Sequence, residues 1–173
     1  GIVRTHIPEL EECPCQIAGE LQGFDPRAYL GAKEARRMAR FSQMAVIATQ
    51  MALEDSSLSL SSEEKEHVAV VSGTAVGGTV IEVEGGLRRL GTKSLMRISP
   101  NHLLSLPPNM AAFQISRNFG FRGYSSTTVT ACAAGAQAIG DGAEVIRSGR
   151  AEVAVCGGSE ATLTPVAVAS FAV

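Results

Sequence analysis

No stretch of this 173-residue chain approaches the roughly 20 consecutive apolar residues that a membrane-spanning helix needs. Basic charge is not in excess either: 15 Lys and Arg face 17 Asp and Glu, a net charge of −2, which gives no footprint for a nucleic-acid partner. The opening "GIVRTHIPELEECP" lacks the apolar segment of a secretory signal, so a cytoplasmic location is expected. It also lacks an initiator Met, and a trimmed or excerpted chain is the expectation. Metal spacing is missing: Cys13 and Cys15 are one residue apart rather than two, and no histidine lies at a matching interval. No metal and no cofactor is therefore expected, and reduced thiols are the simplest reading of the four cysteines. "ACAAGAQAIG" holds neither G-x-G-x-x-G nor a P-loop Lys, which argues against a nucleotide site. Internal repeats and low-complexity tracts are absent as well.

What is present is enough apolar sequence, 45%, for one core. Residues 1–31 read as irregular. Ala35, Met38, Phe41, Ala45, Ala48 and Ala52 recur at steps of three and four, predicting one helix from Ala32 to about Asp55. "SLSLSSEEKE" is a polar connector. "HVAVVSG", 67–73, reads as a buried strand, followed by a glycine turn and a helix from Thr79 to about Leu90. A helix from Pro108 to about Asn118, closed by Gly120, uses proline at its first position. "YSSTTVTA", 124–131, reads as a strand that ends at Cys132, and a helix runs from there to Gly149. "AEVAVCGG" predicts another buried strand, and the apolar "SEATLTPVAVASFAV" has no evident packing partner. Alternating strands and helices make the fold class α/β with a largely parallel sheet, built on only three convincing strands. Arg36, Arg37 and Arg40, and Arg88, Arg89 and Lys93, read as solvated helix faces.

Cys132 carries the chemical interest. A helix N-terminus holds unpaired N–H groups and roughly half a positive charge. A thiol placed there is favoured as its nucleophilic thiolate, and the same amides suit an oxyanion growing on a bound acyl carbonyl. A strand–Cys–helix turn is thus a compact device for acyl transfer, in the manner of a nucleophile elbow. Ala131, Ala133, Ala134, Gly135, Ala138 and Gly142 leave room for a close approach by another backbone or by a ligand. Gly135, Gly140 and Gly142 each weaken the helix by about 1 kcal/mol against alanine, so it needs tight burial. The competing reading of Cys132 is a small buried hydrophobe at a strand end. Cys156, inside a strand, reads as core; Cys13 and Cys15 stay unassigned.

"VTACAAGAQAIGDGAEVIRSGRAEVAVCGGSEATLTP" resembles the nucleophile region of the β-ketoacyl-[acyl carrier protein] synthases, condensing enzymes of the thiolase superfamily. "IAGELQGFDPRAYLGAKEARRMARFSQMAVIA", "VAVVSGTAVGG", "RRLGTKSLMRISP" and "NMAAFQISRNFGFRG" match in the same order, so the resemblance covers nearly the whole chain. It is closest to the elongating, type II branch of ketosynthases. The resemblance implies a thiolase-like layered sandwich of two duplicated halves. Residues 1–173 would then be an incomplete N-terminal ketosynthase domain, without its usual first strand and without the second half. It implies that Cys132 accepts an acyl chain from acyl carrier protein, with its own backbone N–H as one oxyanion donor. Malonyl-carrier protein would then condense with that chain to give a β-ketoacyl product in fatty acid or polyketide synthesis. Pro107, Pro108 and Met110 would line the acyl pocket.

The resemblance further implies a homodimer or heterodimer at full length, formed across about residues 124–131. The isolated chain is expected to be inactive, because the family's catalytic histidines, lysine and second oxyanion donor lie in the absent half. His6, His67 and His102 match none of those motifs; His67 and His102 are expected at the surface. Two alternatives stay open: a non-catalytic pairing subunit of the chain-length-factor kind, against which the retained Cys132 speaks, and a thiolase.

Overall fold

A computed structural model describes residues 1–5, 7–92 and 99–172. His6, Lys93 and most of "TKSLMR" lie outside the described residues. The first segment is not wholly irregular. Two short strands, β1 (Val3–Arg4) and β2 (Ile17–Ala18), pair antiparallel within it. Helices α1 (Arg27–Ala35), α2 (Arg40–Ser56) and α3 (Ser62–Lys65) follow, then strand β3 (Ala69–Thr74) and helix α4 (Thr79–Thr92). Next come α5 (His102–Ser105), α6 (Met110–Phe119), β4 (Ser125–Val129), α7 (Ala134–Arg147), β5 (Ala154–Gly158) and α8 (Pro165–Ala172).

The main sheet has the order β4-β3-β5, with both pairings parallel. All six residues of β3 are buried, as a central strand covered on both faces requires. Its side chains alternate between two clusters. Val70, with Val68 just ahead of the strand, joins Met38, Val46, Ala112, Ile115 and Phe121, under α2 and α6. Ala69 joins Val145 and Ala151 on the opposite face, under α7. Each fully buried valine contributes about 1.5–3 kcal/mol of transfer free energy. The result is a three-layer α/β arrangement, helix pair on sheet on α7.

Several expectations shift. The single helix over 32–55 is two helices. Gly31, at φ 73°, kinks α1, and Ala39 is extended ahead of α2. Ala35, Met38, Ala39 and Phe41 are all buried, so the apolar spacing was real while the backbone between Arg36 and Ala39 was not continuous helix. The Gln43 amide donates to the carbonyls of Ala35 (2.7 Å) and Met38 (3.2 Å), tying α2 back to the break; Ala35 O also accepts from Met38 N at 3.3 Å. On α2, Ala48 and Ala52 are exposed; Val46, Ile47 and Thr49 take the inner face. Pro107 and Pro108 precede α6 instead of starting it, and Gly120 closes it at φ 74°. β4 and β5 are shorter than expected and only half-buried, being the two outer strands of this sheet. The apolar end forms α8, with Val168 buried and Phe171 89% exposed.

Glycine decides how close α7 comes to the sheet. A Cβ at Gly142 would collide with Cys156 Sγ, and one at Gly73 would run into the Ala134 carbonyl. Gly135 sits over Gly158, where an added Cβ would lie 3.6 Å from backbone. Gly140, in the same helix, faces open space. Gly142→Ala should therefore destabilise the protein by about 1–3 kcal/mol in urea unfolding, through overpacking. Gly140→Ala should stabilise it by up to about 1 kcal/mol through helix propensity. Equal effects of the two would show that α7 is not seated as described.

Candidate active site

The turn that presents Cys132 is tighter than a plain helix start. Thr130 leaves β4 with φ −130°, ψ 39°, and a 3-10 turn spans Ala131–Ala133 before α7 begins at Ala134. Ala131 has φ +48°, the left-handed region, at a cost of roughly 1–2 kcal/mol for a residue with a Cβ. Such a conformation persists only when neighbours enforce it. Here α7 is pressed onto Gly73 and Gly158 from below. The Thr128 hydroxyl ties the turn to the sheet, close enough to donate to Ala134 O (3.3 Å) or Ser72 O (3.4 Å). Within the turn, Ala133 N donates to Thr130 O at 3.1 Å and Ala134 N donates to Ala131 O. Two of the amides that the sequence reading offered to an oxyanion are therefore engaged. Nothing in an alanine-rich sequence signals this strain.

The Cys132 thiol is exposed at the head of this turn, so it is not a buried hydrophobe at a strand end. Cys156 differs. It is half-buried on the α7 face of β5, and burial pushes its thiol pKa up, with the nearby Asp141 carboxylate adding to the effect. Cys13 is half-buried and Cys15 exposed, both remote in sequence from the turn.

Pro107 and Pro108 are half-buried, and Met110 is buried beside Ala39, Phe41 and Ala111. The β3–α4 turn presses against this segment. A Cβ on Gly77 (φ +62°) would come within 2.7 Å of Pro108 Cα, and one on Gly78 would strike the Ser105 carbonyl. Thr79 Oγ1 donates to Leu106 O at 3.3 Å. That turn is gripped by a residue the sequence reading passed over. Glu160 Oε2 accepts from Thr74 Oγ1 (3.0 Å), Ala75 N (2.6 Å) and Val76 N (3.1 Å). Its other oxygen accepts from Ala161 N at 3.1 Å. The available signal was an acidic side chain two residues beyond the glycine pair that ends β5.

A cleft of about 510 Å³ opens between the N-terminal segment and Glu160–Leu163, with Arg40, Met44 and Ile81 in its wall. Cys132, Pro107, Pro108 and Met110 do not line it, so it does not unite the predicted site residues. His102, expected at the surface, is largely covered: Nδ1 lies 3.2 Å from Glu82 Oε2, and the ring rests on Gly86. His67 is exposed. Among the described residues, no three His, Cys, Asp or Glu side chains gather as metal ligands. Also among the described residues, no helix is long and apolar enough to cross a membrane.

Comparison with known proteins places this geometry in context. The family model "Beta-ketoacyl synthase, N-terminal domain" matches residues 5–173. The 3-oxoacyl-[acyl-carrier-protein] synthase 2 of Synechocystis sp. is 39% identical over 158 residues, which is 91% of this chain and 38% of that protein. The Staphylococcus aureus protein of the same name is 35% identical over 99% of this chain and 42% of its own length. The chain thus spans about two fifths of the curated relatives it matches. Among solved structures, a β-ketoacyl synthase from Burkholderia phymatum superposes with a TM-score of 0.81 at 27% identity, over 98% of this chain and 42% of the other. A type II polyketide ketosynthase, solved with its acyl-carrier protein and bound to the hexaketide, gives 0.74 at 31% identity, over 85% and 42%.

The two thiols next to α7 should separate in alkylation. At pH 8 iodoacetamide should label Cys132 readily and Cys156 hardly at all. Because a raised pKa keeps Cys156 protonated further up the scale, its labelling should begin only at a pH above that of a free thiol. Peptide mass mapping across a pH series reads both; Cys156 reacting first would contradict the burial described.

Proposed function

The chain belongs to the β-ketoacyl synthase family, and from that premise we propose that it is the nucleophile-bearing half of a condensing enzyme. The observation that carries the reading is the exposed Cys132 thiol on a strained turn at the head of α7. Its sulfur attacks the acyl thioester on the phosphopantetheine arm of acyl carrier protein. A carbon–sulfur bond forms to Cys132, the bond to the pantetheine sulfur breaks, and that thiol leaves with the proton Cys132 gave up. The oxyanion formed on the way is assigned to the Cys132 amide, since the two amides after it already serve the turn.

Condensation follows in the reading. Malonyl-carrier protein loses carbon dioxide, its enolate attacks the Cys132 thioester, and the cysteine leaves as thiolate, which takes up a proton from solvent. The product is a β-ketoacyl chain two carbons longer, of the fatty acid or polyketide kind. Decarboxylation is assigned to groups outside these residues, and residues 1–173 to the N-terminal part of a longer ketosynthase domain. Pro107, Pro108 and Met110 are assigned to the wall of the acyl pocket. A dimer formed along β4 is part of the same proposal. Support for covering partners is the exposed apolar surface: Val129 at the β4 edge, Ile139 (60% exposed) and Ile146 on α7, and Phe171. A cytoplasmic location goes with this chemistry.

Incubating the complete protein with an acyl-carrier donor should place the acyl mass on the Cys132 peptide. Cys132→Ala should abolish it and lower condensation by at least about 1000-fold, as loss of a covalent nucleophile does. Unchanged condensation in Cys132→Ala would favour a pairing subunit instead. Residues 1–173 alone should give no ketoacyl product, read by mass spectrometry of the carrier protein.

A further inference from the structure

We infer that Glu160 is a positioning residue for the acyl pocket, acting through the β3–α4 turn on the wall at Ser105–Pro108. The inference rests on the reading of Cys132 as acyl acceptor and of Pro107 and Pro108 as pocket wall. Its physical basis is a chain of direct contacts. One carboxylate oxygen gathers the Thr74 hydroxyl and the amides of Ala75 and Val76, the shortest at 2.6 Å, in charge-assisted bonds. The Thr74 hydroxyl in turn accepts from Gly77 N at 3.1 Å, in a buried setting. Glu160 therefore sets the path of residues 74–77 directly and through Thr74. Gly77 and Gly78 have no side chains to yield, and their backbones abut Pro108 and the Ser105 carbonyl. A displacement of the turn is transmitted to that segment without slack.

The other end of the chain of contacts reaches Cys132. Ser159 N donates to Gly73 O at 3.0 Å, and Gly158 lies beneath Gly135, in the first turn of α7, which follows the Cys132 turn. Residues 158–160 thus touch both the seat of the nucleophile and the grip on the pocket wall. Their geometry sets the separation between the thiol and the wall, and with it the acyl length that fits. Glu160 itself does not contact the thiol's turn through its carboxylate, so the chemistry at sulfur is not its concern.

The test uses the complete enzyme, with acyl-carrier donors of short, medium and long chains, and reads acylation of Cys132. Glu160→Gln keeps the shape but removes the charge; Thr74→Val removes the relay to Gly77 and leaves Glu160 in place. Both should change the ratio of kcat/KM between long and short donors by about tenfold or more, the order expected for a lost charge-assisted bond. The change should appear mainly in KM, while the iodoacetamide rate at Cys132 stays within about twofold of the parent. Glu160→Asp, with charge retained and reach shortened, should fall between. An unchanged length ratio, or equal loss for all donors alongside a lower melting temperature, overturns the inference and leaves a structural staple. Should Glu160→Gln not fold, Thr74→Val decides by the same ratio. Failure of the parent enzyme to acylate Cys132 at any length would instead overturn the reading beneath.

Discussion

Seating α7 directly on backbone is the constraint from which the rest of the structure follows. Helix-to-sheet packing normally leaves a layer of side chains between the two. Here Gly73 and Gly158 offer no Cβ below, and Gly135 and Gly142 offer none above. The helix drops into van der Waals contact with the strands, at the cost of several residues with poor helix propensity. Ala134 and Ala138 fill what room is left and are fully covered. That close seat leaves the chain only a short distance in which to turn from β4 into α7. The turn is made with a 3-10 segment and an alanine in the left-handed region, and Cys132 is what it holds out to solvent.

Much of this was legible in the residues. Three strands, the helix after Cys132 and the parallel α/β class all follow from apolar runs bounded by glycine, because a buried central strand such as β3 has little freedom to look otherwise. The abundance of small side chains near Cys132 correctly announced a close approach, and the resemblance supplied the family. The failures have physical causes. Ala35, Met38 and Phe41 keep helical spacing across a break because burial, not backbone continuity, sets where apolar residues fall. β5 reads as a buried run because sequence does not say which strand has a neighbour on both sides. The +48° torsion at Ala131 left no trace, since alanine is compatible with every alternative.

Polar detail was the least legible layer. Glu160 looks like any acidic residue in a loop, yet its carboxylate organises the amides of a turn 84 to 86 residues away in the chain. His102 looks like a surface histidine after a turn, yet it is paired with Glu82 across two helices. Both depend on which distant elements the fold brings together, a property that no local window contains. Cys132 is the exception. Its place at the head of a helix follows from its neighbours in sequence, although the left-handed Ala131 and the floor at Gly73 and Gly158 do not.

The parallel pairing of β3 has a kinetic side. Each of its partners must arrive from far along the chain: Thr127 of β4 lies 55 residues beyond Ser72, and β5 further still. Closing loops of that size precedes any reward from the contacts they bring, which makes folding slow and sets a definite order on the ribosome. The cradle beneath α7 does not exist until Gly158 has been synthesised and docked beside Gly73. Until then the helix above it, rich in glycine, has only the β3 half of its floor.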